Sequence, residues 1–497
     1  MASDMSLLQF VSGCTFDDFL FTPQKGVLPR RDPDRVDLSS RFSENLAIKR
    51  PIISANMDTI TRAAMAIVLA EEGGIGVIDR GFRAGDIEPQ VKEIVTVKRK
   101  QHAVIRDPHT ISAGQRIGDA LRKMDETRVG TLVVVDTAGR LRGLLTERDT
   151  RFVTADSQIS AHMTTKERLV IAQGSVSLSE AEQIMRDKKI KKLPLVDSKG
   201  RLSGLITARD LLHHKKHPFA TRDGEGRLRV AAAVGASGDY LERARELVRA
   251  GADALVIDIA HGHSQVMERA IEELRKAFGA IELIAGNVAT DEGVRFLLER
   301  GVNGIKVGIG PGGGCTTRLT TNFGVPQVEA LVRCRLATND RVPLIADGGI
   351  KRDGHIAEAL LFGGDSVMLG SAFAGTEETP GETVLRSVLE PESQKLVKVP
   401  FKVFRGMASI TAVKDRIDLE EAGPAELAQI GAEGLEVSVP ARGSARTVIH
   451  DMLKHLCSAI SYGGAKGLHE LKTKFWSHPE HYVIKLTSTS QKESFVR

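Results

Sequence analysis

"ALVIDIAHGHSQVMERAIEELRKAFGAIELIAG", residues 254–286, reads as strand, helix, strand. The run ALVID (254–258) is short and apolar, SQVMERAIEELRKAFG (264–279) is amphipathic at helical spacing, and ELIAG (282–286) is short and apolar again. Strands that alternate with helices imply a parallel sheet joined by crossovers. Working outward, the same pattern recurs. Before it stand IISAN (52–56), GIGVI (74–78) and VAAAV (230–234); after it stand GIKV (304–307), PLIA (343–346) and SVML (366–369). Amphipathic stretches follow most of these runs, such as YLERARELVRAG after VAAAV. Eight units of this kind predict an α/β fold, a (β/α)8 TIM barrel.

Between the second and third units the chain repeats itself. "VVVDTAGRLRGLLTERD" ends at Asp149 and "LPLVDSKGRLSGLITARD" ends at Asp210. Gly139 matches Gly200, Thr146 matches Thr207 and Asp149 matches Asp210, all offset by 61 residues. Each copy reads as strand, glycine turn, strand and helix start, preceded by a helical stretch. The repeat predicts an inserted module over residues 98–215, with the barrel split into 1–97 and 216–497; the second part carries an active-site loop, a flap at about 405–440 and a C-terminal tail.

Composition narrows the class. Hydrophobic residues are 41% and charged residues 27% of 497, ordinary for a soluble globular chain. The net charge of +5 is mild and no long basic run occurs, so nucleic-acid binding is not implied. Cys14, Cys315, Cys334 and Cys457 lie far apart and form no CxxC pair, so neither a zinc site nor a disulfide framework is expected. No apolar run reaches about 18 residues, and MASDMSLLQF does not read as a signal peptide, so the expected location is cytoplasmic, with no membrane partner.

The barrel locates the chemistry, because such barrels carry their sites where strands end at the C-terminal face. The strand ends hold Ser54 to Met57, Asp258 to His261, Gly286-Asn287, Gly308 to Cys315, Asp347 to Gly349 and Gly370-Ser371. "VGIGPGGGCTTR" (307–318) sets Cys315 at the end of a glycine-rich loop. By itself such a loop fits a flexible turn with an inert thiol. On a rim of small and polar residues it fits a nucleophile whose backbone approaches a ligand closely. The glycine turns after the seventh and eighth runs suit a phosphate, and Asp347 suits sugar hydroxyls. Asp258 and Asn287 suit a second ligand. The stretch DRGFRAG (79–85) shows no chemistry of its own and reads as an exit loop.

Residues 104–214 resemble a tandem pair of CBS domains, since both copies keep G-L-(L/I)-T-x-R-D. That likeness implies adenine or guanine nucleotides held at Thr146, Asp149, Thr207 and Asp210. The barrel with this insertion, together with "VGIGPGGGCTTR", "DIAHGHS", "AGNVAT", "ADGGI", "MLGSAFAGTEETPGE" and "FRGMAS", resembles the IMP dehydrogenase/GMP reductase family. The resemblance implies attack of Cys315 on C2 of a purine nucleotide, GMP or IMP, with a nicotinamide cofactor. It also implies roles by position. Thr317 is the proton-relay threonine, and Arg416 is the flap arginine. Asp347, Gly349, Gly370 and Ser371 hold ribose and phosphate. Gly406, Met407 and Glu433 address the purine, and Ser54 and Met57 line the nucleotide site. Gly308, Gly310, Asp258 and Asn287 lie at the nicotinamide end. Gly313 stands where both branches of the family usually carry serine. In dehydrogenases, carbonyls matching Gly310, Gly312 and Cys315 bind a monovalent cation such as K+, helped by a tail glutamate, here Glu493. The family forms tetramers, and octamers when CBS pairs bind nucleotide.

The two branches part at the flap. Dehydrogenases hydrolyse the adduct with an Arg-Tyr pair; reductases expel ammonia through a threonine backed by a flap glutamate. "SITAVKDRIDLEEAGPAELAQIGAEG" (409–434) contains no tyrosine, and Arg416 is followed by Ile417. "SANMD", "GMASITAV" and "VPARG" also resemble CBS-bearing GMP reductases. "AGTEETPGE", "AHGHS" and the tail "KLTSTSQKES" resemble dehydrogenases. Ile410 stands where the reductase glutamate is expected, with Glu420, Glu421 and Glu426 as substitutes. The expected activity is GMP reductase using NADPH. The alternatives are IMP dehydrogenase using NAD, and a nucleotide-binding regulator without turnover.

Overall fold

The computed structural model describes residues 7–100, 105, 108–174, 176–389, 395–416, 431 and 433–495, with backbone only at 210, 213 and 214. The chain divides into two compact units: Met1–Lys100, Phe219–Asp223 and Leu228–Arg497 form the first, and Gln101–Pro218 with Gly224–Arg227 the second.

The first unit is a closed parallel barrel of eight strands. They are β1 (Ile52–Ser54), β2 (Ile75–Ile78), β3 (Ala231–Val234), β4 (Ala254–Asp258), β5 (Glu282–Val288), β6 (Gly304–Val307), β7 (Leu344–Asp347) and β8 (Ser366–Leu369). β8 closes on β1 through Leu369 opposite Ser54, and β2 joins β3 through Val77 opposite Ala231. All eight apolar runs of the sequence are these strands. Their side chains alternate with the period of two that a barrel demands. Ile53, Ile75, Val77, Ala231, Ala233, Val256, Ile284 and Met368 fill the interior, with Phe42, Leu46 and Ile48 of an N-terminal hairpin. Ala232, Val234, Leu255, Ile257, Leu283 and Ala285 face the outer helical layer.

The outer helices form for local reasons. Gln265–Phe278 buries Met267, Ala270, Ile271 and Leu274, the three-and-four spacing of one helical face. Its N-cap is Ser264, whose side chain accepts the Met267 N–H. Each large apolar side chain on that face contributes roughly 1.5–3 kcal/mol, so Leu274→Asp would lose that contribution and bury an unpaired charge against the barrel. Two features were not legible in the sequence. Phe19–Phe21 pairs antiparallel with Val483–Lys485, tying both ends of the chain together. A three-stranded antiparallel sheet, Val384–Leu389, Leu396–Arg405 and Glu436–Pro440, leads into the segment beginning at Gly406.

The second unit has the internal symmetry of the repeat. Helix Ile117–Thr127 and hairpin Thr131–Val135/Leu141–Thr146 correspond to helix Leu178–Asp187 and hairpin Lys192–Val196/Leu202–Thr207. Gly139 and Gly200 adopt the same left-handed turn, at φ +73° and +74°. The halves exchange reciprocal bonds: Leu141 N–H to the Gly200 carbonyl (3.1 Å) and Leu202 N–H to the Gly139 carbonyl (3.0 Å). Val133, Leu144, Val196 and Leu205 share one small core between them.

Candidate active site

The carboxyl ends of the barrel strands open into a cleft of about 340 Å3. Its floor is an ion cage that the sequence reading missed. Lys306, inside β6, is 3% exposed and bridges Asp258 Oδ1 and Asp347 Oδ2, each at 2.7 Å. Burial pushes the ammonium pKa down, but Asp258 and then Asp347 outweigh it, and the net shift is upward. Burial likewise pushes Asp258 up, and Lys306 and then Arg80 bring it below its ordinary value. Such a buried set stands only while every charge is paired. A lysine in a four-residue apolar strand was the signal available in the sequence.

Amides complete the cage. Asn56 donates to Asp258 Oδ2 at 2.7 Å. Asn287 donates to the Gly308 carbonyl at 2.7 Å and to Asp347 Oδ2 at 2.9 Å. Asp347 Oδ1 keeps no partner among the described residues and remains free to accept sugar hydroxyls. Gly308 turns the chain out of β6 at φ +147°, where a Cβ would lie 2.1 Å from the Asp347 carbonyl oxygen, so only glycine fits.

The cysteine loop is stitched to two distant segments. Leu435 N–H donates to the Gly314 carbonyl (3.0 Å), Thr316 N–H to the Glu433 carbonyl (2.9 Å), Gly406 N–H to the Leu435 carbonyl (2.9 Å) and Glu433 N–H to the Ala408 carbonyl (3.0 Å). This strip delivers a side-chain chain. The Cys315 thiol donates to Thr317 Oγ1 at 3.2 Å, and that hydroxyl donates to Glu433 Oε2 at 2.6 Å. A carboxylate at one end and a half-buried thiol at the other make a path for one proton.

On the far side, Gly348, Gly349, Gly370 and Ser371 line the cleft where the loops after β7 and β8 meet. Met57, Met407, Gly310, Gly312 and Gly313 also line it.

A family model described as "IMP dehydrogenase / GMP reductase domain" matches residues 13–497. The chain belongs to this family. It is accordingly an oxidoreductase. The chain is 41% identical over 466 residues to an inosine-5'-monophosphate dehydrogenase of Aquifex aeolicus, covering 93% of this chain and 92% of that one. It is 40% identical over 473 residues to the enzyme of the same name from Nitrosopumilus maritimus, covering 94% and 95%. Among solved structures, a cysteine-to-alanine variant of GMP reductase from Trypanosoma brucei in complex with guanosine 5'-monophosphate superposes with a TM-score of 0.84 at 33% identity, covering 97% of each chain. The same reductase in complex with guanosine 5'-triphosphate gives a TM-score of 0.75 at 31% identity, covering 96% and 98%.

Within this family member the structure gathers most of the expected site residues into the one cleft, and departs at Ser54 and at the DRGFRAG loop. Ser54 does not line it: the side chain is buried inside β1, its hydroxyl without a partner. Asn56, two residues on and past the end of β1, reaches the mouth instead. Glu433, expected on the purine, lines the cleft and accepts the Thr317 hydroxyl through Oε2. DRGFRAG is more than an exit loop: Arg80 lines the cleft, and Asp79 beneath it is fully buried, its carboxyl pushed up to about 6 by burial. Arg416 lines the cleft as well, its pKa lowered to about 10 by burial and by Arg80. The Gly312 carbonyl, one of the three expected cation ligands, accepts the Cys315 N–H at 3.0 Å and keeps a second lone pair. Ile417, Glu420, Glu421 and Glu426 lie outside the described residues.

In the second unit, Asp149 Oδ2 accepts both the N–H and the hydroxyl of Thr146, each at 2.8 Å. Thr207 ends the matching strand, and the Asp210 side chain lies outside the described residues.

Proposed function

We propose that the chain is a GMP reductase, converting GMP, NADPH and two protons to IMP, NADP+ and ammonium. One observation carries the reading: the Cys315–Thr317–Glu433 chain supplies a nucleophile and a proton donor without a flap tyrosine. The whole chain has three tyrosines, Tyr240, Tyr462 and Tyr482, none of them in the flap. The Arg-Tyr pair that activates water in dehydrogenases has no counterpart there.

The steps follow from the residues. Glu433 draws the thiol proton through Thr317, and the Cys315 thiolate attacks C2 of GMP. Glu433 and Thr317 return a proton to the exocyclic amine, which leaves as ammonia. Reduced nicotinamide, when bound, supplies the hydride that C2 takes up. The C–S bond then breaks and IMP departs. Asn287 fits the cofactor's carboxamide, since its buried Oδ1 has no partner and it lines the cleft. Asp347 Oδ1 would accept ribose hydroxyls, and the backbone of Gly349, Gly370 and Ser371 would hold the 5′-phosphate. A K+ ion would rest on the carbonyls of Gly310, Gly312 and Cys315 with Glu493, and no step above requires it.

IMP dehydrogenase is the second reading, favoured by the 40% and 41% identity to relatives of that name. Absorbance at 340 nm separates the two. Loss of signal with GMP and NADPH, with ammonia released, supports the reductase; a rise with IMP, NAD and K+ overturns it. Silence in both cuvettes with nucleotide still bound would leave the third reading, a regulator.

The second unit is proposed as a CBS pair that binds adenine or guanine nucleotides at Thr146, Asp149, Thr207 and Asp210 and tunes the barrel, in a tetramer or octamer. Its internal symmetry and the GTP-bound reductase neighbour support this. A GTP titration that moves the activity of the native chain and not of Asp149→Ala is the expected result. A cytoplasmic setting is consistent with the absence, among the described residues, of any helix long and apolar enough to cross a membrane.

A further inference from the structure

We propose that Arg80 and Arg416 form a phosphate-binding subsite of the cleft, one that takes a phosphoryl group of the nicotinamide dinucleotide. This rests on the reading of the chain as a nicotinamide-dependent enzyme and not on the direction of its reaction.

Both arginines line the cleft. Backbone bonding brings their segments together: Ala84 N–H, four residues past Arg80, donates to the Arg416 carbonyl at 3.1 Å. Gly235 lies beside Arg80, the position of a Cβ there being at ordinary contact distance, 3.7 Å, from Nη1. Among the described residues, each guanidinium keeps a buried nitrogen without a hydrogen-bond partner, Nε of Arg80 and Nη1 of Arg416.

Among the described residues, the carboxylates around them are each engaged by another cation or donor, although Asp58 Oδ1 keeps no hydrogen-bond partner. Asp258 is taken by Lys306 and Asn56. Asp79 is held by the Gly81 N–H at 2.6 Å and by Arg62 at 3.3 Å. Asp58 and Asp415 pair with Arg405, and Glu433 holds Thr317. Two like charges therefore share the cleft, each with a buried donor that no described residue engages, and burial with the Arg80 charge depresses Arg416. Arginine does not relieve such a site by losing its proton. An anion does relieve it, and the planar fork matches a phosphoryl group in two hydrogen bonds.

The place in the barrel selects the group. The glycine turns suited to the mononucleotide phosphate follow β7 and β8. Arg80 follows β2, beyond β8 and β1 in strand order. Asp258, on the nearby end of β4, feels the Arg80 charge. The arginines thus belong to the second ligand of the cleft.

The test is calorimetric titration of the full-length protein with NADP+, NAD+, nicotinamide mononucleotide, nicotinamide riboside and GMP. Arg80→Gln and Arg416→Gln are each expected to weaken the dinucleotides about tenfold or more. Riboside and GMP are expected to bind within about twofold of the native chain. A matching loss for nicotinamide mononucleotide assigns the subsite to the phosphate next to the nicotinamide ribose; a loss for NADP+ greater than for NAD+ assigns it to the 2′-phosphate. Arg80→Lys keeps the charge without the fork and is expected to recover part of the affinity. Equal loss for riboside and dinucleotide, a loss confined to GMP, or no dinucleotide binding by the native chain would overturn the proposal. Turnover with IMP instead of GMP would sink the reductase reading and leave the subsite standing.

Discussion

Thr317 and Glu433 are 116 residues apart in the sequence and 2.6 Å apart across a hydrogen bond. The same threonine oxygen accepts from Cys315. A hydroxyl between a thiol and a carboxylate can pass a proton either way without moving a heavy atom. The backbone strip of residues 314–316, 406–409 and 433–435 holds that alignment, so rate and geometry are coupled.

Glu433→Gln removes the proton acceptor and keeps the shape. The rate of adduct formation is expected to fall about 10²–10³-fold, with the Kd for GMP within a few fold. Stopped-flow single turnover separates the two. An unchanged rate would mean that the thiol loses its proton elsewhere.

Gly406→Ala tests the strip. A Cβ at this position would lie 2.3 Å from the Gly314 carbonyl oxygen, so the loop must shift away. Because the strip lies outside the barrel strands, the thermal midpoint should stay nearly constant while kcat falls about tenfold or more. Full kcat would show that Glu433 does not depend on this contact.

Gly313→Ser adds a hydroxyl where there is room for it. A Cβ there would be 4.0 Å from the Ser371 side chain. One further hydrogen bond to a phosphate oxygen is expected to tighten GMP about three- to tenfold. Equilibrium titration gives the answer, and weaker binding would place the phosphate elsewhere.

Glu358 gives the fold a pH dependence. It is 6% exposed, and burial pushes its carboxyl up to about 8, with Arg352 opposing. In the unfolded chain it titrates near about 4.3. Between those values the folded state holds a proton that the unfolded state has lost, so this residue's contribution to stability falls as pH rises from about 4 to about 8. Glu358→Gln is expected to remove that slope, gaining on the order of 2–4 kcal/mol at pH 8 and almost nothing at pH 4. Denaturant titrations at the two pH values measure it, and equal gains would refute the assignment.

Much of the site was readable because barrel strands advertise their own ends. An apolar run that stops at Asp258, Asn287 or Asp347 marks the rim by its polarity change alone. Lys306 was missed because one lysine in a run of four reads as a tolerated exception, and its two carboxylate partners come from other strands. Arg80 was missed for the same reason: it looks like any loop arginine until the residues that fail to pair with it are known. Ser54 was misplaced because inward and outward faces of a three-residue strand cannot be told apart from its letters.

The sequence by itself determined the number and order of the barrel strands, the internal repeat, the candidate nucleophile and the family. These depend on local periodicity and on short motifs, which the chain carries without folding. Only the tertiary structure decided which charges are paired, which carboxylate stands behind Thr317 and which arginine nitrogens no described residue engages. Those are matters of a few ångströms between residues hundreds of positions apart, and no local pattern encodes them.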